Sequence, residues 1–303
     1  MTETTFHLLI NSDSATANTL GREKIETAIV DSGISIITFD YLPAAEFKAR
    51  LHALMDSPFP ILVGGGDGTI AMSSAMHLEK KKPFGIIPMG TMNLLAGDLH
   101  LPLDFTECLK AYKDTQSVAI DVGKLNDHPF LCCASWGTMP QASKFREANR
   151  GQMHPILFMR MIPYIFKQMD KAFKRRIKLT IDGHTRSTRT AMLIVSNNLY
   201  DKPTLTSPFK KGSLSDGLLG VYKISPRGPL NKIRVLMNMK LGLWKNDPFI
   251  DEYKAKQVRI DTKRKEDLIS LDGEPMKLKG PYNITLMRRA LAVIVPRASA
   301  EAL

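Results

Sequence analysis

Phe59-Pro60-Ile61-Leu62-Val63-Gly64-Gly65-Gly66-Asp67-Gly68-Thr69 is the stretch on which the fold turns. An apolar run ends in four glycines within five positions, and a helical pattern follows near residues 69–80. Glycines let backbone N–H groups turn toward a ligand, and a helix N-terminus adds positive potential. The stretch therefore reads as a phosphate cradle between a strand and a helix. Upstream, Phe6–Ile10 and Ile34–Thr38 read as strands, followed by helices near residues 15–31 and 43–56. Downstream, Phe84–Ile87 is a fourth strand. This βαβαβαβ order argues for an α/β domain, a parallel sheet with helices on both faces. Ligands bind beyond the carboxyl ends of such strands. The loops after Ile10, Thr38, Val63 and Ile87 are thus expected to share one rim.

The rhythm changes after residue 115. Ser117–Gly123, Phe130–Ser135, Ile177–Ile181, Thr190–Ser196, Leu218–Ile224, Val258–Asp261 and Leu268–Leu271 read as strands joined by turns. Helical insertions are expected near 155–174 and 228–240. Short, irregularly spaced strands suggest an antiparallel β-sandwich. The division falls into residues 1–120 and 121–303, and the last strand is a candidate to return to the first domain.

At 303 residues, with 44% hydrophobic and 24% charged residues, both domains are able to bury a core. Disorder, collagen-like repeats and coiled coil are excluded. Three cysteines, two of them the adjacent Cys132 and Cys133, give neither a disulfide scaffold nor a zinc spacing. They imply a reducing compartment. The N-terminus has no basic stretch before an apolar one, so no secretory signal is expected. The greasy stretch Pro155–Phe166 is interrupted by Arg160 and Pro163, short of the ~18 apolar residues of a spanning helix. A cytoplasmic protein, soluble or peripheral on the inner face of the membrane, is the expectation. Residues 1–120 hold 9 Lys+Arg against 14 Asp+Glu, a balance of −5; the remainder of the formal +12 puts +17 on residues 121–303. Such a domain attracts nucleic acid, anionic lipid headgroups or phosphorylated substrates.

Two familiar phosphate loops do not fit. A P-loop closes with Gly-Lys-Ser/Thr, and this loop has no Lys. Gly66-x-Gly68-x-x-Ala71 matches a degenerate dinucleotide fingerprint, but the next strand end, Phe84–Met89, offers no acidic residue for a ribose. A second loop, Ile87-Pro88-Met89-Gly90-Thr91-Met92-Asn93, also follows a strand on the same rim. Thr91 offers a hydroxyl and Asn93 an amide to phosphate or ribose; helix capping is the plainer role for either.

These two loops in this order resemble the diacylglycerol kinase catalytic-domain family, which includes bacterial diacylglycerol and other lipid kinases and the sphingosine kinases. Ser213-Leu-Ser-Asp216-Gly-Leu218 resembles its magnesium segment, Leu271-Asp272-Gly273-Glu274 its catalytic segment, and Ala290–Pro296 its final strand. The resemblance implies a nucleotide domain of the NAD-kinase and phosphofructokinase kind, then a β-sandwich that takes the lipid. It implies that Asn11 and Thr38 contact ATP, that Gly65, Gly66, Asp67, Gly68 and Thr69 wrap its phosphates, and that Thr91 completes the pocket. Asp216, with backbone oxygens of Ser213 and Leu218, would organise Mg2+ and its waters. Glu274 would be the general base on a lipid hydroxyl, most simply that of diacylglycerol. Asp272 and Glu274 flank one glycine, so either is a candidate, and Asp67 beside the phosphates is a further carboxylate. Ala15, Ala71 and Leu94 depart from the family pattern, which commonly has Gly, Asn and Asp at these points.

Residues 156–178 alternate apolar side chains, Ile156 to Phe166, with basic ones, Arg160 to Lys178. Basic residues at an anionic leaflet contribute ~1 kcal/mol each. The segment reads equally as a membrane-facing helix or as a core helix with a wet basic face; basic surface also suits a homodimer. No zinc finger, RNA-binding strand motif or basic zipper supports nucleic acid. A soluble kinase of the NAD kinase type, or a nucleotide-binding regulator without catalysis, are the alternatives.

Overall fold

The computed structural model describes residues 4–149, 155–205 and 208–303, with the side chains of residues 146, 147 and 155–160 outside that description. The chain divides into two compact units, Met1–Asp121 with Arg288–Leu303, and Val122–Met287.

In the first unit β1 (Phe6–Asn11) leads into α1 (Ala15–Leu20) and α2 (Arg22–Ser32). The alternation continues through β2 (Ile36–Leu42), α3 (Ala44–Leu54), β3 (Ile61–Gly65), α4 (Asp67–Lys80) and β4 (Phe84–Pro88). Then come α5 (Leu94–Asp98), α6 (Phe105–Ala111) and the start of β5 (Thr115–Leu125). The strands run parallel in the order β2-β1-β3-β4. The last strand of the chain adds alongside β4, with Val293 opposite Phe84 and Ile294 opposite Gly85. Strands β1, β3 and β4 are buried at every position, as a sheet covered on both faces requires. Leu8, Ile10, Leu62 and Ile87 pack with Ala17, Ile25, Cys108 and Leu109 from α1, α2 and α6. Tyr112 ties the last strand in: its hydroxyl accepts the Ile86 N–H (2.8 Å) and lies 2.9 and 3.2 Å from the carbonyls of Ile86 and Ile294.

Two local readings shift. The helix expected over 15–31 is two, broken at Gly21, whose φ of 76° and ψ of 161° no helix accommodates. Strand two starts and ends later than Ile34–Thr38, because its register is set by β1: His7 opposes Thr38 and Asn11 opposes Leu42.

The second unit contains β6 (His128–Phe130), β7 (Cys133–Gly137), α7 (Thr138–Ala148), α8 (Pro155–Phe173), β8 (Arg176–Ile181), β9 (His184–Arg189), β10 (Met192–Asn197) and β11 (Leu219–Ile224). After α9 (Gly228–Leu241) come β12 (Ile250–Ala255), β13 (Gln257–Asp261), β14 (Glu266–Leu271), β15 (Glu274–Lys279) and β16 (Tyr282–Pro296), whose second half belongs to the first unit, as does α10 (Arg297–Glu301). One sheet has the order β12-β11-β10-β7-β14-β15 and is antiparallel throughout. The start of β16 pairs β13, which pairs β8, which pairs β9, in a second antiparallel layer. Alternating side chains of both layers, among them Leu193, Val195, Val221, Ile269, Val258, Ile260 and Ile284, form one core. The architecture is thus an α/β domain followed by an antiparallel β-sandwich. Strand β9, His-Thr-Arg-Ser-Thr-Arg, has no apolar signal at all. It exists because Asp182 and Gly183, both at positive φ, close a two-residue hairpin against β8. Among the described residues no helix is long and apolar enough to cross a membrane.

Candidate active site

The carboxyl ends of β1, β3 and β4 bring together Asn11, the glycine loop and Gly90 within the first unit. Gly66 is the N-cap of α4 and carries no side chain to satisfy the first-turn N–H groups. A fourteen-residue helix thus opens with backbone donors directed at a potential anion. The glycines are dictated by close approach. A Cβ on Gly65 would lie 2.6 Å from the Thr69 side chain, and one on Gly90 would lie 2.7 Å from the Cα of Gly66. The Gly65 carbonyl accepts the Met89 N–H at 3.0 Å, so the two loops are laced by backbone as well.

Polar side chains brace this cradle. The Asn11 amide donates to the Thr69 hydroxyl at 2.8 Å, and its oxygen accepts the Asp13 N–H. The Asp67 carboxylate accepts the N–H groups of Asn93 (3.0 Å) and Leu94 (2.7 Å), capping α5. Asn93 in turn spans Gly90, accepting its N–H at 2.8 Å and donating to its carbonyl at 2.9 Å. Asp67 and Asn93 therefore hold the loops in shape: both carboxylate oxygens and both ends of the carboxamide are engaged. Thr91 is exposed in the second loop, and Gly68 is exposed in the first turn of α4. Thr38 is not at this rim. It sits four positions before the end of β2, ~13 Å along the strand, where its hydroxyl meets His7 Nδ1 at 2.7 Å. Burial lowers the His7 pKa, with Arg50 adding to the effect. A residue not proposed from sequence, Ser14, caps α1 with its Oγ buried and unpartnered. An orphaned hydroxyl beside Asn11 suits a phosphate or ribose oxygen. The spacing Asn11-x-x-Ser14 was its only signal.

The acidic segments belong to the second unit. Asp272 (φ 48°) and Gly273 (φ 91°) form the two-residue turn between β14 and β15, with Leu271 paired to Glu274. The Asp272 carboxylate accepts three backbone N–H groups, from Leu131 (2.7 Å), Cys132 (2.7 Å) and Cys133 (3.0 Å). Burial pushes its carboxyl above the usual carboxylate range, while those donors and the Lys211 ammonium pull it back. Asp272 is thereby a clamp on the segment joining β6 to β7. Glu274 opens β15 and is exposed.

In the segment Ser213–Leu218, the Asp216 Oδ1 accepts the Leu218 N–H at 3.1 Å, an Asx-type turn, and the Asn198 amide at 2.7 Å. Ser213 Oγ accepts the Ser215 N–H. The turn thus fixes an exposed carboxylate. Among the described residues no three His, Cys, Asp or Glu side chains gather as a metal site. One carboxylate with carbonyls and water fits magnesium, which dehydrates reluctantly, and would not hold zinc.

Residues 5–125 match the diacylglycerol kinase catalytic domain, and residues 146–295 match the YegS C-terminal NAD kinase beta sandwich-like domain. The chain belongs to the diacylglycerol kinase catalytic-domain family. A Staphylococcus carnosus protein named diacylglycerol kinase is 33% identical over 94 residues, 30% of this chain and 31% of that protein. A Chromohalobacter salexigens protein with the name "Probable lipid kinase YegS-like" is 26% identical over 245 residues, 79% of this chain and 77% of its own. A Synechocystis protein is 24% identical over 243 residues, and the match spans only about half of its length, 54%. A crystal structure of a diacylglycerol kinase from Bacillus anthracis str. Sterne superposes with a TM-score of 0.66 at 20% identity, covering 98% of both chains. That likeness speaks to the fold.

Proposed function

We propose that this family member is an ATP- and magnesium-dependent lipid kinase that phosphorylates a lipid hydroxyl, diacylglycerol giving phosphatidic acid. The observation that carries the reading is the cradle, two glycine-bearing loops packed so closely that a single methyl group at Gly90 would strike Gly66. Backbone would there approach the phosphates closely, which is what phosphoryl transfer by positioning needs. Asn11, Thr69 and Ser14 would orient the nucleotide, and first-turn N–H groups of α4 would hold its phosphates. Asp216 with the Ser213 and Leu218 carbonyls would hold the hydrated metal, whose contribution is to neutralise phosphate charge. Glu274 would take the proton of the acceptor hydroxyl as its oxygen bonds to the γ-phosphorus and the bond to the β-phosphate oxygen breaks. Of the two carboxylates beside Gly273 it is the one without a structural engagement.

A lipid acceptor requires a membrane-facing surface. The apolar half of α8 includes Ile162, which is exposed; Ile156, Leu157, Phe158, Met159 and Arg160 lie outside the described side chains. Helix α9 is the stronger candidate. Leu230, Ile233, Met237 and Leu241 are all exposed at i, i+3, i+7 and i+11, with Arg234 and Lys240 exposed beside them. That one-sided stripe suits peripheral docking on an anionic surface.

The test is transfer of label from ATP into mixed micelles carrying a panel of lipid alcohols, with wild type and Glu274→Ala in parallel and NAD as a soluble acceptor. Label in diacylglycerol that disappears in the variant supports the reading. Label in NAD alone would make this a soluble kinase. Binding of ATP without transfer to any acceptor would make it a nucleotide-binding regulator.

A further inference from the structure

The β-sandwich unit holds a cavity of about 660 Å³ that takes no part in the site described above. That size is ordinary for a small-molecule site, in the range of about 300–1,000 Å³. Six cationic side chains line it: Lys174, Arg175, Arg176, Arg189, Lys263 and Arg264. All six are exposed residues, so their charge is directed at a solvent-open mouth. The floor is apolar and includes Trp136, Ile177 and Leu268. One carboxylate also lines it, that of Asp267. It already accepts the hydroxyls of Thr262 at 2.6 Å and Tyr282 at 3.1 Å, and it stands 3.8 Å from the Arg264 guanidinium. Six cations against one carboxylate leave a net charge of five within one cavity.

Trp136 supplies an independent observation. Its side chain is buried, 6% exposed, and the indole N–H has no acceptor among the described residues. A buried donor left without a partner is costly, and native structures keep few of them. The ring itself is fixed edge-on against Tyr282, with centroids 5.7 Å apart. The ring is thereby a rigid part of the cavity lining, and a ligand that reaches it alters the surroundings of a fixed indole.

The cavity is also separate from the acidic turn. Asp272 meets the Cys133 end of β7, whereas Trp136 and Gly137 at the cavity form the other end of that strand. Likewise β14 reaches the cavity at Asp267 and Leu268 and the turn at Leu271, roughly 10 Å on from Leu268.

We infer that this cavity is a second ligand site, taking a phosphate-bearing anion with its phosphate among the arginines and its apolar part on Trp136, Ile177 and Leu268. Guanidinium forks match phosphate oxygens two at a time, which four arginines at one mouth permit. The ligand class is a phosphate ester, supplied either as a phospholipid headgroup or as a free phosphorylated compound.

The test uses the full chain labelled with 5-fluorotryptophan. The protein has two tryptophans, so fluorine NMR gives two resonances, and Trp136→Phe assigns one of them. Dihexanoyl phosphatidic acid below its micelle concentration, inorganic pyrophosphate and uncharged dihexanoylglycerol are titrated separately. A saturable shift of the Trp136 resonance with an anion is expected, weakened about tenfold in Arg189→Ala/Arg264→Ala, whose replaced side chains are exposed. A shift with phosphatidic acid alone identifies the lipid source; an equal response to pyrophosphate identifies a free phosphate. Because the reporter is in the cavity, anion held by the glycine cradle does not move it. A resonance that stays fixed with both anions, a shift with dihexanoylglycerol equal to that with phosphatidic acid, or an undiminished shift in the double variant would each overturn the inference.

Discussion

Replacing Gly90 with alanine tests whether the two glycine loops form one rigid cradle. The new methyl carbon would lie 2.7 Å from the Gly66 Cα and 2.9 Å from the Asn93 side-chain oxygen. Carbon atoms rest about 3.5–4.0 Å apart, so the loops must separate by roughly 1 Å. Neither neighbour is the free end of a flexible side chain: one is backbone, and the other accepts the Gly90 N–H while its amide donates a hydrogen bond to the Gly90 carbonyl. Overpacking of this kind costs about 1–3 kcal/mol. At about 2–4 °C per kcal/mol for a unit of this size, the melting temperature should fall by roughly 2–12 °C. Misplacing a positioning element by about 1 Å also costs on the order of 10²-fold in rate, so phosphoryl transfer should suffer far more than stability. Calorimetric titration with ATP, scanning fluorimetry and single-turnover transfer are the assays. Gly97→Ala is the control, since a methyl group there meets nothing within 4 Å and lies in a helix. ATP affinity and melting temperature of Gly90→Ala equal to wild type would refute the reasoning, because the loops would then be soft and the glycine incidental.

Asp272→Ala should lower the melting temperature sharply, since it abandons three backbone donors at roughly 1–3 kcal/mol each where they are buried, whereas Glu274→Gln should melt like wild type and lose ~10²–10⁴-fold in transfer; equal melting losses in the two variants would contradict their separate roles. His77 is buried and stacked on Phe84, and burial, only partly offset by its bond to the Lys82 carbonyl, lowers its pKa to about 4. The unfolded chain binds a proton near pH 6.5 that the folded chain refuses, so this stability is complete above about pH 6.5 and is lost progressively toward pH 4, up to roughly 3 kcal/mol. His77→Phe should flatten that loss in urea titrations at about pH 7 and about pH 4.5, and an unchanged pH dependence would count against the assignment. On α9, Leu230→Glu/Met237→Glu should reduce sedimentation with anionic vesicles severalfold while leaving ATP affinity intact; undiminished sedimentation would move membrane docking elsewhere.

The sequence alone determined the fold class and the cradle. Apolar runs that alternate with helical patterns and end in glycine have one economical packing, and four glycines in five positions mark backbone approach whatever surrounds them. The order of the glycine loops, Asp216 and Glu274 likewise carried the family without any geometry. Tertiary structure decided the rest, because strand register and hydrogen-bond competition are non-local. Thr38 reads as the end of strand two in sequence, but pairing with His7 keeps it four residues from the rim. Asp272 and Glu274 are equivalent on paper, yet the segment after β6 supplies three N–H groups to only one of them. Asp67 and Asn93 read as ligand contacts in sequence, and the structure adds a bracing role: Asp67 accepts two N–H groups of the second loop, and Asn93 spans Gly90 within its own loop. Strand β9 has no apolar periodicity to read, since its place is set by a turn and by the edge of β8. The six cations around Trp136 come from segments as distant as residues 174 and 264, and only the closing of the sandwich collects them into one cavity.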